Sequence, residues 1–224
     1  MSTQTAGYRD AVDHLPQGGT LVFQRVPWED YEQLLQDLVD RPGVRVSYDE
    51  GRLEIMSPLP EHEEYKDSLY RMVTVFAEMN DIQLETRGSA TWKRKKLRKG
   101  SEPDTCFYVA NASRIIGRRS IDLESDPPPD VVVEIDTTNE SLSKFPIYSA
   151  LGVSEIWRYD SKHTYMYKLT GQSYSQIIES PSLPGLTTRM ITSFLEEAKS
   201  KGQTQALKNF RKQFHPTRAR SRKR

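Results

Sequence analysis

The sequence has almost no cysteine and no long hydrophobic run. Cys106 is the single cysteine among 224 residues, which excludes a disulfide framework and a zinc site built only from cysteines. No apolar stretch approaches the roughly 20 residues that a membrane-spanning helix needs. The polar segment Met1–Asp10 lacks the apolar core of a secretory signal. We therefore expect a soluble, cytoplasmic protein with no membrane partner.

Charge is distributed unevenly along the chain. The 32 basic and 31 acidic residues give a net charge of +1, but residues 199–224 hold ten Lys and Arg and no acid, so residues 1–198 carry a net charge of −9. We expect residues 1–19 to be a polar lead-in, 20–198 to form one domain, and 199–224 to be a basic, disordered tail. Such a tail can bind phosphates non-specifically, or it can be a solvated end without a partner.

The spacing of apolar residues predicts a mixed α/β (α+β) fold. Residues 44–48 and 52–56 alternate apolar and polar around a turn at Asp49–Gly51, which predicts a β-hairpin. Val131–Ile135 begins with three adjacent β-branched residues, which is typical of a strand buried on both faces. Helical spacing is found in four segments, at residues 28–39, 61–80, 141–151 and 192–198. The order of elements predicts a central mixed sheet flanked by helices.

Two acidic residues stand at the ends of strands that we expect in the core. Glu134 interrupts the apolar run Val131–Ile135, and Asp104 directly precedes the apolar strand Thr105–Val109. A buried carboxylate must be paired, protonated or bound to a cation, because an unpaired buried charge is very costly. Two carboxylates are suitable ligands for Mg²⁺, and Lys144 near the start of the next helix can return over the strand end. Together these groups suit metal-assisted cleavage of a phosphodiester.

Each of these acids also has a purely structural interpretation. Glu134 could form a simple ion pair with Lys144 or Arg158. Asp104 could cap the turn that follows Pro103, as Asp often does. Spacing alone leaves both interpretations open.

Several motifs, taken in order, resemble a bacterial restriction-endonuclease family that has been catalogued as a domain of unknown function within the PD-(D/E)XK nuclease superfamily. The matching motifs are Asp49–Pro58 with His62, Glu102–Asp104, Pro129–Ile135, Lys144 with Tyr148, and Leu151–Asp160. The resemblance covers roughly residues 20–198. It implies a restriction-endonuclease-like core, in which a central mixed β-sheet is flanked by helices and the site lies at the sheet edge.

The resemblance also implies roles for individual residues. Asp104 and Glu134 would bind Mg²⁺ or Mn²⁺, and Lys144 would complete the catalytic set. The superfamily places a lysine two positions after the glutamate, where this chain has Asp136, which is either an additional metal ligand or a solvent-facing strand end. Lys144 instead belongs to the following helix. The residues expected to support the site, or to be merely structural, are His62, Asp136 and Tyr148.

A dense basic run precedes Asp104 by a few residues. As part of a β-hairpin beside the site it could contact the phosphate backbone of DNA. The alternative is a solvated edge strand that its lysines protect from pairing. The candidate DNA contacts are Lys93, Arg94, Lys95 and Lys96.

The sequence therefore supports a metal-dependent endonuclease that hydrolyses phosphodiester bonds in DNA. The alternative is a catalytically inactive, nuclease-like DNA-binding module, since a fold does not dictate an activity. A third interpretation is a structural protein whose acids only form ion pairs. Cutting both strands of a duplex would favour a homodimer, although no residue in the sequence establishes one.

Overall fold

The computed structural model describes residues 3–39, 43–137 and 141–213. Within those ranges the chain forms seven α-helices, two short 3-10 helices and eleven β-strands. The α-helices are α1 (Thr3–Asp13), α2 (Trp28–Asp37), α3 (Pro60–Met79), α4 (Ala112–Ile115), α5 (Phe145–Leu151), α6 (Thr188–Lys201) and α7 (Gln203–Gln213), and the 3-10 helices are Lys95–Leu97 and Ser141–Lys144. The strands are β1 (Thr20–Phe23), β2 (Arg45–Asp49), β3 (Arg52–Met56), β4 (Glu85–Thr86), β5 (Trp92–Arg94), β6 (Lys99–Ser101), β7 (Thr105–Tyr108), β8 (Val131–Ile135), β9 (Glu155–Tyr159), β10 (Thr164–Thr170) and β11 (Ser173–Ile177).

The strands form two sheets. The first sheet has the order β1-β3-β2-β6-β5 and is antiparallel throughout. The central sheet has the order β11-β10-β9-β8-β7-β4, with β8 and β9 parallel and the other neighbours antiparallel. The predicted mixed α/β architecture with a central mixed sheet is therefore confirmed, whereas the division into two sheets was not predicted.

The central sheet is covered on both faces, which explains why its middle strands are apolar. One face packs against α3, α6 and α7 through side chains that include Val131, Val133 and Trp157. The opposite face packs against α4, α5 and β5, with Cys106 and Val132 among the buried residues. Because side chains alternate along a strand, residues two apart share a face. Glu134 therefore lies on the face of Val132, and Asp104 directly precedes β7.

Local sequence signals fix the elements beside this face. The hairpin between β2 and β3 turns at Glu50 and Gly51, both with positive φ, as its two-residue turn requires. Helix α5 is capped at its C-terminal end by Gly152, whose φ of 83° is the left-handed conformation that glycine favours. The chain must cross over from β8 to the parallel β9, and α5 makes that connection. This crossover places the start of α5 above the end of β8.

Two predicted terminal segments differ from the structure. The loose lead-in was wrong for Thr3–Asp13, which is helix α1 and packs Tyr8 and Val12 beneath the first sheet. The disordered tail was wrong for its first half, because α6 continues to Lys201 and α7 follows it. The many basic residues of this segment led to the prediction of disorder, although α7 has an apolar side. Ala206, Leu207 and Phe210 on that side are buried against the core. Residues 214–224 lie outside the described residues, and the domain boundaries at 20 and 198 stay predictions.

No helix in the described part of the chain is both long enough and apolar enough to span a lipid bilayer.

Gly100 allows the first sheet to approach helix α2. Its substitution therefore tests the packing of the sheet against this helix. A side chain at Gly100 would overlap the hydroxyl of Tyr31, which is fully buried and stacked on Tyr48. We expect Gly100→Ala to lower the free energy of unfolding by about 1–3 kcal/mol, measured by urea denaturation, because overpacking strains the core. Gly7→Ala is the control, since its α1 position meets no atom within 4 Å and Ala should be neutral or slightly stabilising there. Equal effects of the two changes would contradict this packing.

Candidate metal and nuclease site

The pairing of β7 with β8 brings Asp104 close to Glu134. Thr105 pairs with Val133 in the antiparallel ladder, and the backbone nitrogen of Asp104, directly before β7, donates to the Val133 backbone oxygen at 3.1 Å. Asp104 therefore lies beside the segment of β8 that contains Glu134. Both side chains are deeply buried, with 2% of Asp104 and 1% of Glu134 exposed. The two acids predicted from the sequence are thus brought together at one edge of the central sheet.

Asp104 is held in its ionised form by several neighbours. Its Oδ2 accepts a hydrogen bond of 2.7 Å from the Ile135 backbone nitrogen. Burial is the largest influence and by itself raises the pKa of Asp104, but the nearby His62, the Lys144 ammonium and the Ile135 amide outweigh it. The pKa of Asp104 therefore lies below its usual value. His62 Nδ1 is 3.8 Å from Oδ2, too far for a hydrogen bond, so its influence on Asp104 is electrostatic.

Glu134 is paired directly with two residues of the following helical segment. Lys144 Nζ donates to Glu134 Oε2 at 2.8 Å, and the Tyr148 hydroxyl donates to Oε1. The pKa of Glu134 is raised to about 7. Burial is the dominant influence and raises it, Lys144 lowers it, and the charge of Asp104 raises it. Of the two ion pairs that the sequence allowed for Glu134, the structure forms the one with Lys144.

Lys144 is a buried cation that is paired with Glu134. It is the last residue of the 3-10 helix before α5, and 6% of its surface is exposed. Burial lowers the pKa of a lysine, but the charges of Glu134 and Asp104 outweigh burial and raise the pKa of Lys144. Lys144 is therefore a stable ammonium at neutral pH.

Tyr148 links the two sheets at this point. Its hydroxyl receives a hydrogen bond of 3.0 Å from Ser101 Oγ on β6 and donates its own proton to Glu134. Burial and the charge of Glu134 raise the pKa of Tyr148 well above its usual value, so the phenol stays protonated. This chain of hydrogen bonds holds the Glu134 carboxylate in a fixed orientation.

The remaining supporting residues lie on either side of the pair. His62 is buried in the first turn of α3 and faces Asp104. Asp136 is buried and binds Arg158 Nε at 2.5 Å, so the interpretation of Asp136 as a solvent-facing strand end was wrong. Arg158 is opposite Glu134 in the parallel register of β8 and β9. Asp136 thus belongs to an ion pair beside the two central acids.

The candidate DNA contacts are mostly engaged within the protein. Lys93 Nζ lies 2.9 Å from Glu32 on α2, and Lys95 Nζ lies 3.9 Å from Glu29 on the same helix. Arg94 donates to the backbone oxygen of Leu123 through two nitrogens. Lys96 is the most exposed of the four, with its ammonium 3.9 Å from Glu124. Their contact with DNA stays a prediction.

The donor set at the site fits a small, hard cation that keeps water ligands. Among residues 3–39, 43–137 and 141–213, no group of three or more His, Cys, Asp or Glu side chains is arranged to hold a metal ion. Mg²⁺ often binds through only one or two carboxylates, with water and substrate oxygens completing its octahedron. The neighbouring carboxylates of Asp104 and Glu134 offer that number of ligands.

Sequence reasoning missed three residues that complete this region. Arg45 on β2 has its Nε 3.7 Å from Asp104 Oδ1. Ser101 orients Tyr148, and Glu102 accepts hydrogen bonds from Thr91 and from the backbone of Val46. Arg45 and Ser101 lie on the first sheet, so no pattern within their own strands indicates that they meet the end of β8. Glu102 could have been noted from its place in the Glu102–Asp104 motif.

A family model matches most of the chain. Residues 28–196 match the Uma2 family, which is described as "Putative restriction endonuclease". The chain belongs to the Uma2 family. The matched range contains both central acids, Lys144, Tyr148 and His62, and the family resemblance inferred from the sequence motifs is confirmed.

One solved structure to which the chain is similar is the crystal structure of a "putative nuclease belonging to DUF820" from Anabaena variabilis ATCC 29413. It shares 16% sequence identity with this Uma2 chain, with a TM-score of 0.48, over 67% of this chain and 90% of that one. No curated protein was found to match the chain.

The buried Glu134 carboxyl gives a test through the pH dependence of stability. The folded protein retains the Glu134 proton up to about pH 7, whereas the unfolded chain releases it near 4.5, so ionisation across that window favours unfolding. Glu134→Gln removes this titration. We expect the free energy of unfolding of the variant to rise relative to the wild type between pH 5 and 8, by up to about 3 kcal/mol. Urea denaturation in EDTA measures it, and a constant difference across that range would contradict the assignment.

Proposed function

We propose that this Uma2 protein is a metal-dependent endonuclease that hydrolyses phosphodiester bonds in DNA. The observation that carries the proposal is the burial of Asp104 and Glu134 close together, with the Lys144 ammonium bound to Glu134 and under the influence of both charges. Membership in a family described as a restriction endonuclease supports the reaction class. The proposed cation is Mg²⁺ or Mn²⁺, held by Asp104 and Glu134.

The two acids differ in how readily they lose a proton. Asp104 has a lowered pKa and is a carboxylate at neutral pH, ready to bind a cation. Glu134 has a pKa of about 7 and accepts hydrogen bonds from Lys144 and Tyr148, which hold its oxygens in place. Mg²⁺, when bound, would neutralise phosphate charge and lower the pKa of a coordinated water.

Lys144 acts as a cation rather than as a base. Its raised pKa keeps a proton on Nζ, so it cannot accept one from water at neutral pH. An ammonium at this position can instead stabilise negative charge that develops on the phosphate oxygens, and it can orient the attacking water. Tyr148, fixed by Ser101, orients Glu134 and stays protonated.

Cleavage of plasmid DNA tests the proposed activity. In Mg²⁺ we expect the wild type to nick or linearise the plasmid, and we expect Asp104→Asn, Glu134→Gln and Lys144→Met each to lower the rate by about 100-fold or more, since each removes a charge from the reacting centre. Glu155→Gln is the matched control, because Glu155 is as buried as Glu134, with 1% of each exposed. Glu155 lies at the start of β9, whereas Arg158, the residue opposite Glu134, lies near its end. Binding of DNA without cleavage by the wild type would favour the inactive binding module instead.

Thermal unfolding tests cation binding without relying on activity. A cation that binds only the folded protein at ten times its dissociation constant adds about 1.4 kcal/mol of stability, which shifts Tm by a few degrees in a protein of this size. We expect Mg²⁺ or Mn²⁺ to raise the Tm of the wild type and to leave that of Asp104→Asn unchanged. Equal shifts in both proteins would contradict a role for Asp104 as a ligand.

A further inference from the structure

Two buried nitrogens beside Asp104 have no hydrogen-bond partner in the described part of the chain. They are Arg45 Nε, 3.7 Å from Asp104 Oδ1, and His62 Nδ1, 3.8 Å from Asp104 Oδ2. Both distances exceed the length of a hydrogen bond. A buried polar nitrogen without a partner is costly, so two of them beside the same carboxylate need an explanation.

The side chain of Arg45 is fixed in this orientation. Its Nη2 donates to Glu63 Oε1 on α3 at 3.0 Å, and its Nη1 donates to the backbone oxygen of Val44 at 3.3 Å. These contacts use the outer nitrogens of the guanidinium and leave Nε directed at the region of Asp104. A guanidinium is planar and always charged, which makes it well suited to binding phosphate oxygens.

A cleft connects Arg45 with the surface. The cleft has a volume of about 830 Å³ and lies between the start of α3 and the first sheet, with Arg45, Ser57, Ser89 and Thr91 among its lining residues. It is large enough for part of a nucleotide. Arg45 is the residue that belongs both to this cleft and to the surroundings of Asp104.

The acids of the cleft are compensated and do not oppose an anion strongly. Glu63 forms ion pairs with Arg45 and Lys66. Glu102 accepts hydrogen bonds from Thr91 Oγ1 and the Val46 amide, and burial raises its pKa. Both acids are therefore already engaged within the protein, while Arg45 keeps its Nε free of a hydrogen bond.

We propose that Arg45 and His62 form an anion subsite that binds a phosphate oxygen of the DNA backbone beside Asp104. The subsite deepens the proposed nuclease function and rests on it, since it identifies the residues that position the phosphate next to the acids. Binding there would supply the acceptor that both nitrogens lack.

A purely structural role for Arg45 makes a different prediction. If Arg45 served only to neutralise Asp104, then removing the charge of Asp104 would leave no function for Arg45. The affinity for DNA would then not depend on Arg45. If Arg45 forms an anion subsite, removing the charge of Asp104 also removes the main repulsion of a phosphate. The affinity for DNA should then increase and should depend on Arg45.

The experiment compares three proteins with the wild type in EDTA, so that no metal and no cleavage take part. The proteins are Asp104→Asn, Asp104→Asn/Arg45→Gln and Asp104→Asn/Arg87→Gln, and the probe is a dye-labelled DNA duplex of about 20 base pairs whose binding is followed by fluorescence anisotropy. Arg87 is the matched control because it is also partly buried, paired with a glutamate and bonded to backbone oxygens.

We expect Asp104→Asn to bind the duplex at least about threefold more tightly than the wild type. Adding Arg45→Gln should weaken that binding about tenfold and reduce its salt dependence by about one phosphate contact. Adding Arg87→Gln should change it less than twofold. Equal effects of Arg45→Gln and Arg87→Gln would overturn the subsite.

A second measurement applies if Arg45→Gln does not fold. The Nε–H resonances of ¹⁵N-arginine-labelled Asp104→Asn protein are followed by NMR during titration with a thymidine dinucleotide, with Arg45→Lys used for assignment. We expect a saturable shift of the Arg45 signal and little change at Arg87; an unmoved Arg45 signal overturns the subsite. Absence of plasmid cleavage in Mg²⁺ would instead contradict the proposed function and leave this binding result intact.

Discussion

The register of β7 against β8 is the constraint on which the rest of the site depends. It brings Asp104, directly before β7, close to Glu134 near the end of β8, where both side chains are buried. Two neighbouring carboxylates repel each other strongly when buried, and each also loses its hydration. Polar side chains surround the two acids and lie close to this negative charge. They are Lys144, Tyr148, Arg45 and His62.

The surroundings of Asp104 and Glu134 are unequal, and this gives the two acids different pKa values. Asp104 is surrounded by His62, Lys144 and a backbone amide, and its pKa falls. At Glu134 the effects of burial and of the Asp104 charge outweigh that of Lys144, and the pKa rises to about 7. A pair of acids whose environments push their pKa values apart is typical of catalytic sites, although structural ion pairs can produce the same effect. Membership in the Uma2 family favours the catalytic interpretation here.

Much of the fold could be predicted because the relevant signals are local. The β-branched run at Val131–Ile135, the turn at Glu50 and Gly51, and the cap at Gly152 each reflect the conformation of a few adjacent residues. The separation into two sheets and the parallel pairing of β8 with β9 were not accessible, because strand partners far apart in sequence are chosen by packing.

The same distinction applies to the site. Asp104 and Glu134 were identifiable as acids at the ends of apolar strands, and Lys144 from the helix that follows. Arg45 was not, because it lies on a strand of the other sheet and approaches Asp104 only after the two sheets pack. Helix α7 was missed for another reason, since its many charges outweighed three buried apolar residues in the composition.

Anomalous diffraction from crystals soaked in Mn²⁺ tests the central claim most directly. We expect one anomalous peak between β7 and β8, about 2–2.5 Å from an oxygen of Asp104 and from an oxygen of Glu134, with waters at its other positions. A peak bound by only one of these acids, or none at this position at saturating Mn²⁺, would contradict a cation shared by Asp104 and Glu134.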